Sequence, residues 1–121
     1  MKTFSPVFIV DDDPSVRNAL ARMLNLEGYK VEAFSSARGF LDSVPTDVKG
    51  CLVLDIYMSE MDGFALQLKM KSLGYHLPIV FMSAHAKTNE RDYALEHGAA
   101  GFLLKPFENN SLLEIIERVT H

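Results

Sequence analysis

Five short apolar runs, each separated from the next by a stretch with helical spacing, constrain what this 121-residue chain can fold into. The runs are Val7-Phe8-Ile9-Val10, Tyr29 to Phe34, Cys51 to Asp55, Leu77 to Met82 and Gly101 to Lys105. Val- and Leu-rich runs of this length read as strands buried on both faces, the signature of a parallel sheet covered by helices. Turn and cap chemistry marks the helices between them. Asp13 is placed to cap a helix that starts at Pro14, carries Val16, Leu20, Met23 and Leu24 on one face, and ends at Gly28. Ser35-Ser36 can cap a short helix with Phe40 and Leu41, halted before Pro45. A third helix runs from Phe64 through Met70 towards Gly74, a polar fourth from about Thr88 to His97, and Asn109 or Asn110 caps the fifth. Strands alternating with helices predict one α/β domain. The commonest five-stranded arrangement is the flavodoxin-like, doubly wound (βα)5 sheet with strand order 2-1-3-4-5.

That order has a chemical consequence. In an open parallel sheet the binding crevice lies outside the C-terminal strand ends. Strands one and three become neighbours, so Asp11 and Asp12 converge on Asp55. Two unit charges about 4 Å apart repel by roughly 4 kcal/mol at an effective dielectric of 20, so something must offset them. An all-oxygen cluster suits a hard divalent cation, and Mg²⁺ takes one or two carboxylates with waters and phosphate oxygens. Asp13 is read as a helix cap facing solvent. Ser83 ends strand four and Lys105 ends strand five, just before Pro106. Alone, each is an ordinary cap serine or loop cation. Together, an ammonium and a hydroxyl beside a carboxylate can neutralise charge that develops as a phosphoryl group transfers to Asp55.

Composition narrows the alternatives. The chain is 48% hydrophobic and 23% charged, which suits a globular core. Its net charge is −4, with Lys and Arg scattered, which argues against direct nucleic-acid binding. No apolar run is long enough to span a bilayer, and the first six residues are too short and polar for a signal peptide. The single cysteine, Cys51, excludes an internal disulfide and fits a reducing cytoplasm; at the head of a buried strand it reads as an inert thiol. His76, His85, His97 and His121 show no metal-ligand spacing.

In motif order and spacing the sequence resembles the receiver domain of a two-component response regulator over nearly its whole length, which implies that residues 1–121 form one such domain. The residues that carry the likeness are Asp11-Asp12, Asp55 with Met58 and Asp62-Gly63, Ser83-Ala84, and Lys105-Pro106-Phe107, with the Gly98-Ala99-Ala100-Gly101 turn. The pattern is most similar to receivers of the FixJ-like branch, which regulate transcription through an attached helix-turn-helix domain. The resemblance implies that Asp55 accepts a phosphoryl group from a phosphohistidine on a sensor histidine kinase. It implies Mg²⁺ on Asp12, Asp55 and the backbone carbonyl of Tyr57, with Asp11 acting directly or through water. Ser83 and Lys105 would contact the phosphoryl group, Ser83 and Phe102 would act as the switch pair, and the Lys105-Pro106 bond would be cis. The side chains of Tyr57 and His85 would flank the path of hydrolytic water, with shielding expected of Tyr57 and either shielding or base catalysis of His85.

Such a domain is a signalling module that assists its own phosphorylation and dephosphorylation rather than an enzyme acting on a separate substrate. Its output face, helix four with strand five and helix five, would form a homodimer or bind an effector. The output is expected to be transcription through a C-terminal DNA-binding domain; the alternative is a stand-alone receiver serving as a phosphorelay shuttle or interaction switch. Two departures stand out. Ser59 replaces the usual proline of the acceptor loop, which loosens it by about 0.4–1 kcal/mol, and Phe102 offers no phenolic hydroxyl. A haloacid-dehalogenase-type phosphatase would need an acid where Tyr57 stands, and a Rossmann-like nucleotide site would need glycines where Asp11-Asp12-Asp13-Pro14 stands. A receiver-like module without phosphorylation would lack one of the five site residues.

Overall fold

The computed structural model describes residues 5–85 and 88–120. Residues 1–4, 86–87 and 121 lie outside the described residues. The elements follow one another as β1 (Val7–Val10), α1 (Pro14–Leu26), β2 (Val31–Phe34), α2 (Ala37–Ser43), β3 (Cys51–Asp55), α3 (Gly63–Leu73), β4 (Ile79–Ser83), α4 (Thr88–Glu96), β5 (Gly101–Leu104) and α5 (Asn109–Thr120). All neighbouring strands pair in parallel, and their order is β2-β1-β3-β4-β5, the flavodoxin-like arrangement.

The period-2 alternation of strand side chains sorts the core into two layers. Phe8, Val10, Leu52, Leu54 and Phe81 point to one face, where Phe40 of α2, Leu66 and Met70 of α3 and Ala94 of α4 cover them. Val7, Ile9, Cys51, Val53, Val80 and Met82 point to the other, beneath Leu20 and Leu24 of α1 and Leu112 and Ile116 of α5. The central strands β1, β3 and β4 are buried along their whole length because they are covered on both faces. Phe40 anchors the first layer, meeting Phe8 and Phe34 edge-on at centroid distances of 6.0 and 5.8 Å. Burial of such a ring is worth about 1.5–3 kcal/mol. Burial also pushes the Cys51 thiol up to about 12, which keeps it protonated and inert.

The caps fall where the local chemistry puts them. The Asp13 carboxylate accepts from the Ser15 amide, Ser36 Oγ from the Gly39 amide, and Asp62 from the Ala65 amide. Several boundaries differ from the sequence expectation. β2 begins at Val31 rather than Tyr29, because the Tyr29 amide donates to the Leu24 carbonyl and finishes the end of α1. β4 begins at Ile79 rather than Leu77 and runs on to Ser83. β5 stops at Leu104, although the Lys105 amide still donates to the Ser83 carbonyl. α5 already includes Asn109 and Asn110, so neither stands before it as a cap.

Candidate functional site

The pairing register sets the site. Val10 lies opposite Leu54, so the chain exits after β1 and at the end of β3 are adjacent, and Asp55 in turn faces Met82, one residue before Ser83. Strand pairing therefore brings together residues as far apart in the chain as Asp11 and Asp55. Carboxylate oxygens of Asp11, Asp12 and Asp55 all lie within 4.8 Å of one another. Asp11 is fully buried and Asp55 is 5% exposed, whereas Asp12 faces outward.

Lys105 reaches into this cluster from the end of β5. Its Nζ donates to Asp11 Oδ2 at 2.9 Å and to Asp55 Oδ1 at 3.2 Å. The shorter contact goes to Asp11, so the ammonium bridges two carboxylates. Burial works to lower the Lys105 pKa, but the hydrogen bonds and charges of Asp11 and Asp55 outweigh it and hold the ammonium above its ordinary value. For Asp55 the balance goes the other way. Desolvation, then repulsion from Asp11 and Asp12, raise its carboxyl from 3.8 to about 6 against the opposing pull of Lys105. One ammonium among three carboxylates leaves negative charge uncompensated. A hard cation held by these oxygens would relieve it, so the donor set fits Mg²⁺.

The loops hold the acids in place. The Asp13 amide donates to Asp11 Oδ1 at 2.9 Å. Arg17, one turn into α1, donates from Nη1 to the Asp11 carbonyl at 2.8 Å. Sequence reading missed Arg17, because an exposed-looking arginine on a helix carries no signal of which carbonyl it meets. Gly63 closes the loop after β3: its amide donates to the Ile56 carbonyl at 2.7 Å, and a Cβ there would lie 2.6 Å from the Asp55 carbonyl oxygen. Only glycine permits that approach. Ser59, in the position expected to hold proline, uses the amide that proline lacks to donate to Asp12 Oδ2 at 3.4 Å. The next residue, Glu60, has φ = 69°, a left-handed conformation uncommon outside glycine and asparagine.

Ser83 is fully buried at the end of β4, and its Oγ accepts from the His85 amide at 3.1 Å. His85 itself is exposed. Phe102 lies on β5 opposite Phe81 and packs, half-buried, against the first core layer. The Lys105-Pro106 peptide is cis, as expected. Tyr57 is 46% exposed, and its hydroxyl donates to Glu90 of α4. That partner was not foreseen either, since nothing in the sequence relates Tyr57 to a residue on a separate helix.

A family model described as response regulator receiver domain matches residues 7–117. The transcriptional regulatory protein TdiR of Thauera aromatica is 40% identical over 112 residues, which are 93% of this chain and 49% of that protein. The transcriptional regulatory protein FixJ of Bradyrhizobium diazoefficiens is 36% identical over 117 residues, 97% of this chain and 57% of that protein. The solved structure of the response regulator StyR superimposes with a TM-score of 0.90 at 41% identity, covering 98% of this chain and 60% of that one. The chain thus spans about half the length of curated relatives it matches.

Proposed function

This chain belongs to the response regulator receiver family of signalling domains, and from that premise we propose that residues 1–121 form a receiver whose phosphoacceptor is Asp55. The donor is a phosphohistidine on a sensor histidine kinase. An Asp55 carboxylate oxygen attacks phosphorus in line as the bond to the donor nitrogen breaks, and the positive charge of Lys105 lies beside the oxygens that gain negative charge. Asp12, Asp55 and the Tyr57 backbone carbonyl would hold Mg²⁺, with Asp11 contributing directly or through water. Bound there, the cation supplies charge neutralisation between the carboxylates and the incoming phosphoryl oxygens. Ser83 Oγ lies one strand over and is the hydroxyl contact for the phosphoryl group.

The observation that carries this reading is Lys105. A buried-side ammonium joined to both Asp11 and Asp55 leaves an acidic cluster that is short of positive charge and open through Asp12. Signalling follows from the new charge and acceptor oxygens. Ser83 turns towards the phosphoryl group, Phe102 moves inward, and the surface of α4, β5 and α5 shifts between two populated states. Leu95 on α4 and Leu104 on β5 are exposed there, which suits homodimer formation or an effector contact. The output is transcription through a DNA-binding domain joined C-terminally, and the setting is cytoplasmic. Among the described residues no helix is long and apolar enough to cross a membrane.

Incubation with acetyl phosphate tests the proposal. With Mg²⁺ the protein should gain one phosphoryl mass; with excess chelator, or in Asp55→Asn, it should gain none. Stoichiometric labelling in chelator would overturn the metal assignment, and labelling of Asp55→Asn would overturn the acceptor.

A further inference from the structure

The contact between Tyr57 and Glu90 joins the loop after β3 to the first turn of α4. Tyr57 lies in the loop that leaves β3, two residues after Asp55, and Glu90 lies in the first turn of α4, the helix that follows β4. Asp55 and Ser83 end those same two strands. The hydrogen bond therefore ties together the two chain exits between which the carboxylate and the hydroxyl sit. The Tyr57 ring is 46% exposed, and among the described residues its hydroxyl donates to Glu90. The Glu90 hydrogen bond raises the Tyr57 pKa above its ordinary value.

α4 is itself a weakly anchored helix. Within Thr88–Glu96 it buries Ala94 fully, while Leu95 is exposed and Tyr93 is half-buried against Phe64 at a centroid distance of 4.8 Å. A helix held by so small an apolar face is the element expected to shift when the domain changes state. Its first turn carries the acceptor for Tyr57, so a shift of α4 pulls on, or releases, the ring of a residue two positions after Asp55.

We infer that Glu90 is a positioning residue for Tyr57: their hydrogen bond holds the ring beside Asp55, and the lifetime of an acyl phosphate there depends on where α4 sits. The inference rests on the phosphoacceptor reading of Asp55. In the hydrolysis it governs, the oxygen of a water molecule forms a bond to phosphorus. The bond from phosphorus to the Asp55 oxygen breaks with its electron pair left on the carboxylate, and the proton of the water leaves to solvent. A ring held in place occupies space that this water needs, whereas a ring released from Glu90 leaves that space open. By linkage, whatever favours the position of α4 that keeps the hydrogen bond also prolongs the phosphorylated state.

The test is the decay of protein-bound phosphate after acetyl phosphate is removed, in wild type, Tyr57→Phe, Glu90→Ala, Glu90→Gln and the Tyr57→Phe/Glu90→Ala double variant. Tyr57→Phe keeps the ring and deletes only the hydroxyl. Glu90→Gln keeps an acceptor oxygen and removes the charge. Loss of one such hydrogen bond should speed decay by about 2- to 10-fold. Both single losses should show the same factor, the double variant should be no faster than either, and Glu90→Gln should recover most of the wild-type lifetime. Additive effects in the double variant, a Glu90→Gln protein that decays like Glu90→Ala, or a Glu90→Ala protein with the wild-type lifetime would each overturn the inference. Failure of the underlying reading looks different: wild type would then take up no phosphate, or Asp55→Asn would take it up.

Discussion

Replacing Asp55 by asparagine should stabilise the metal-free protein, and should do so only above the pH at which the carboxyl ionises. The cause is the cluster itself. Asp55 is almost buried, shares its surroundings with Asp11 and Asp12, and has its carboxyl raised from 3.8 to about 6. Between those values the folded chain holds a proton that the unfolded chain has already released. Since the slope of unfolding free energy with pH follows protons bound in the unfolded state minus those in the folded state, it is negative there. Stability is therefore greatest below about pH 4 as far as this group is concerned, falls as pH rises, and is at its lowest level once pH passes about 6. At roughly 1.36 kcal/mol per pH unit, the full difference is about 3 kcal/mol at pH 7. The amide of asparagine must still find partners in the same space, which costs about 1 kcal/mol, so a net gain of about 1–3 kcal/mol is expected. Asp11, 2.9 Å from the Lys105 ammonium in the wild type, remains available to it as a partner when Asp55 is replaced. Unfolding entropy near ~2.1 cal/mol/K per residue converts each kcal/mol into about 4 °C for a chain of this size. Thermal melts in chelator from pH 4 to 8 should show Asp55→Asn melting about 4–12 °C above wild type at pH 7, with the gap shrinking as pH falls and the two curves crossing between about pH 4 and 5. Added Mg²⁺ should raise the wild type and narrow the gap. Parallel curves at all pH values, or an Asp55→Asn protein less stable than wild type at pH 7, would refute the account of the cluster as electrostatically strained.

Three further outcomes follow from the loop after β3. Gly63→Ala places a Cβ 2.6 Å from the Asp55 carbonyl oxygen, so denaturant titration should show a loss of about 1–3 kcal/mol, and phosphate uptake at Asp55 should fall with it. Glu60→Gly removes a side chain from a backbone with φ = 69°, and the same titration should show a gain of about 0.5–1 kcal/mol. Tyr57→Ala removes the exposed ring two residues after Asp55, and the phosphoprotein should decay faster than wild type with its Mg²⁺ affinity nearly unchanged, measured by label loss and by Mg²⁺ titration.

Much of this was legible in the sequence because strands and acids announce themselves locally. The runs at Val7–Val10 and Cys51–Asp55 have the observed boundaries, since each is apolar, short and ended by a carboxylate that cannot continue into the core. The convergence of Asp11, Asp12 and Asp55 needed only the strand order. Other features depend on contacts that have no local trace. Tyr29 alternates like a strand residue, yet its amide is taken by the end of α1. Lys105 could be assigned to the acidic cluster, but that it lies 2.9 Å from Asp11 and 3.2 Å from Asp55 is a difference of a few tenths of an ångström that leaves no trace in the sequence. Arg17 and Glu90 are ordinary helix-surface residues until the fold places the Asp11 carbonyl and the Tyr57 hydroxyl in front of them. Ser59 could be seen as a missing proline; that its amide serves Asp12 could not.

The central claim is that the acyl phosphate forms on Asp55, and chemical mapping of the modified residue tests it most directly. The phosphorylated protein is reduced with borohydride, which converts an aspartyl phosphate to homoserine, and is then digested and sequenced by mass spectrometry. The account predicts homoserine at position 55 alone, appearing only when Mg²⁺ was present during phosphorylation. Homoserine at position 11 or 12 with Asp55 intact, or label on any other side chain, would contradict it.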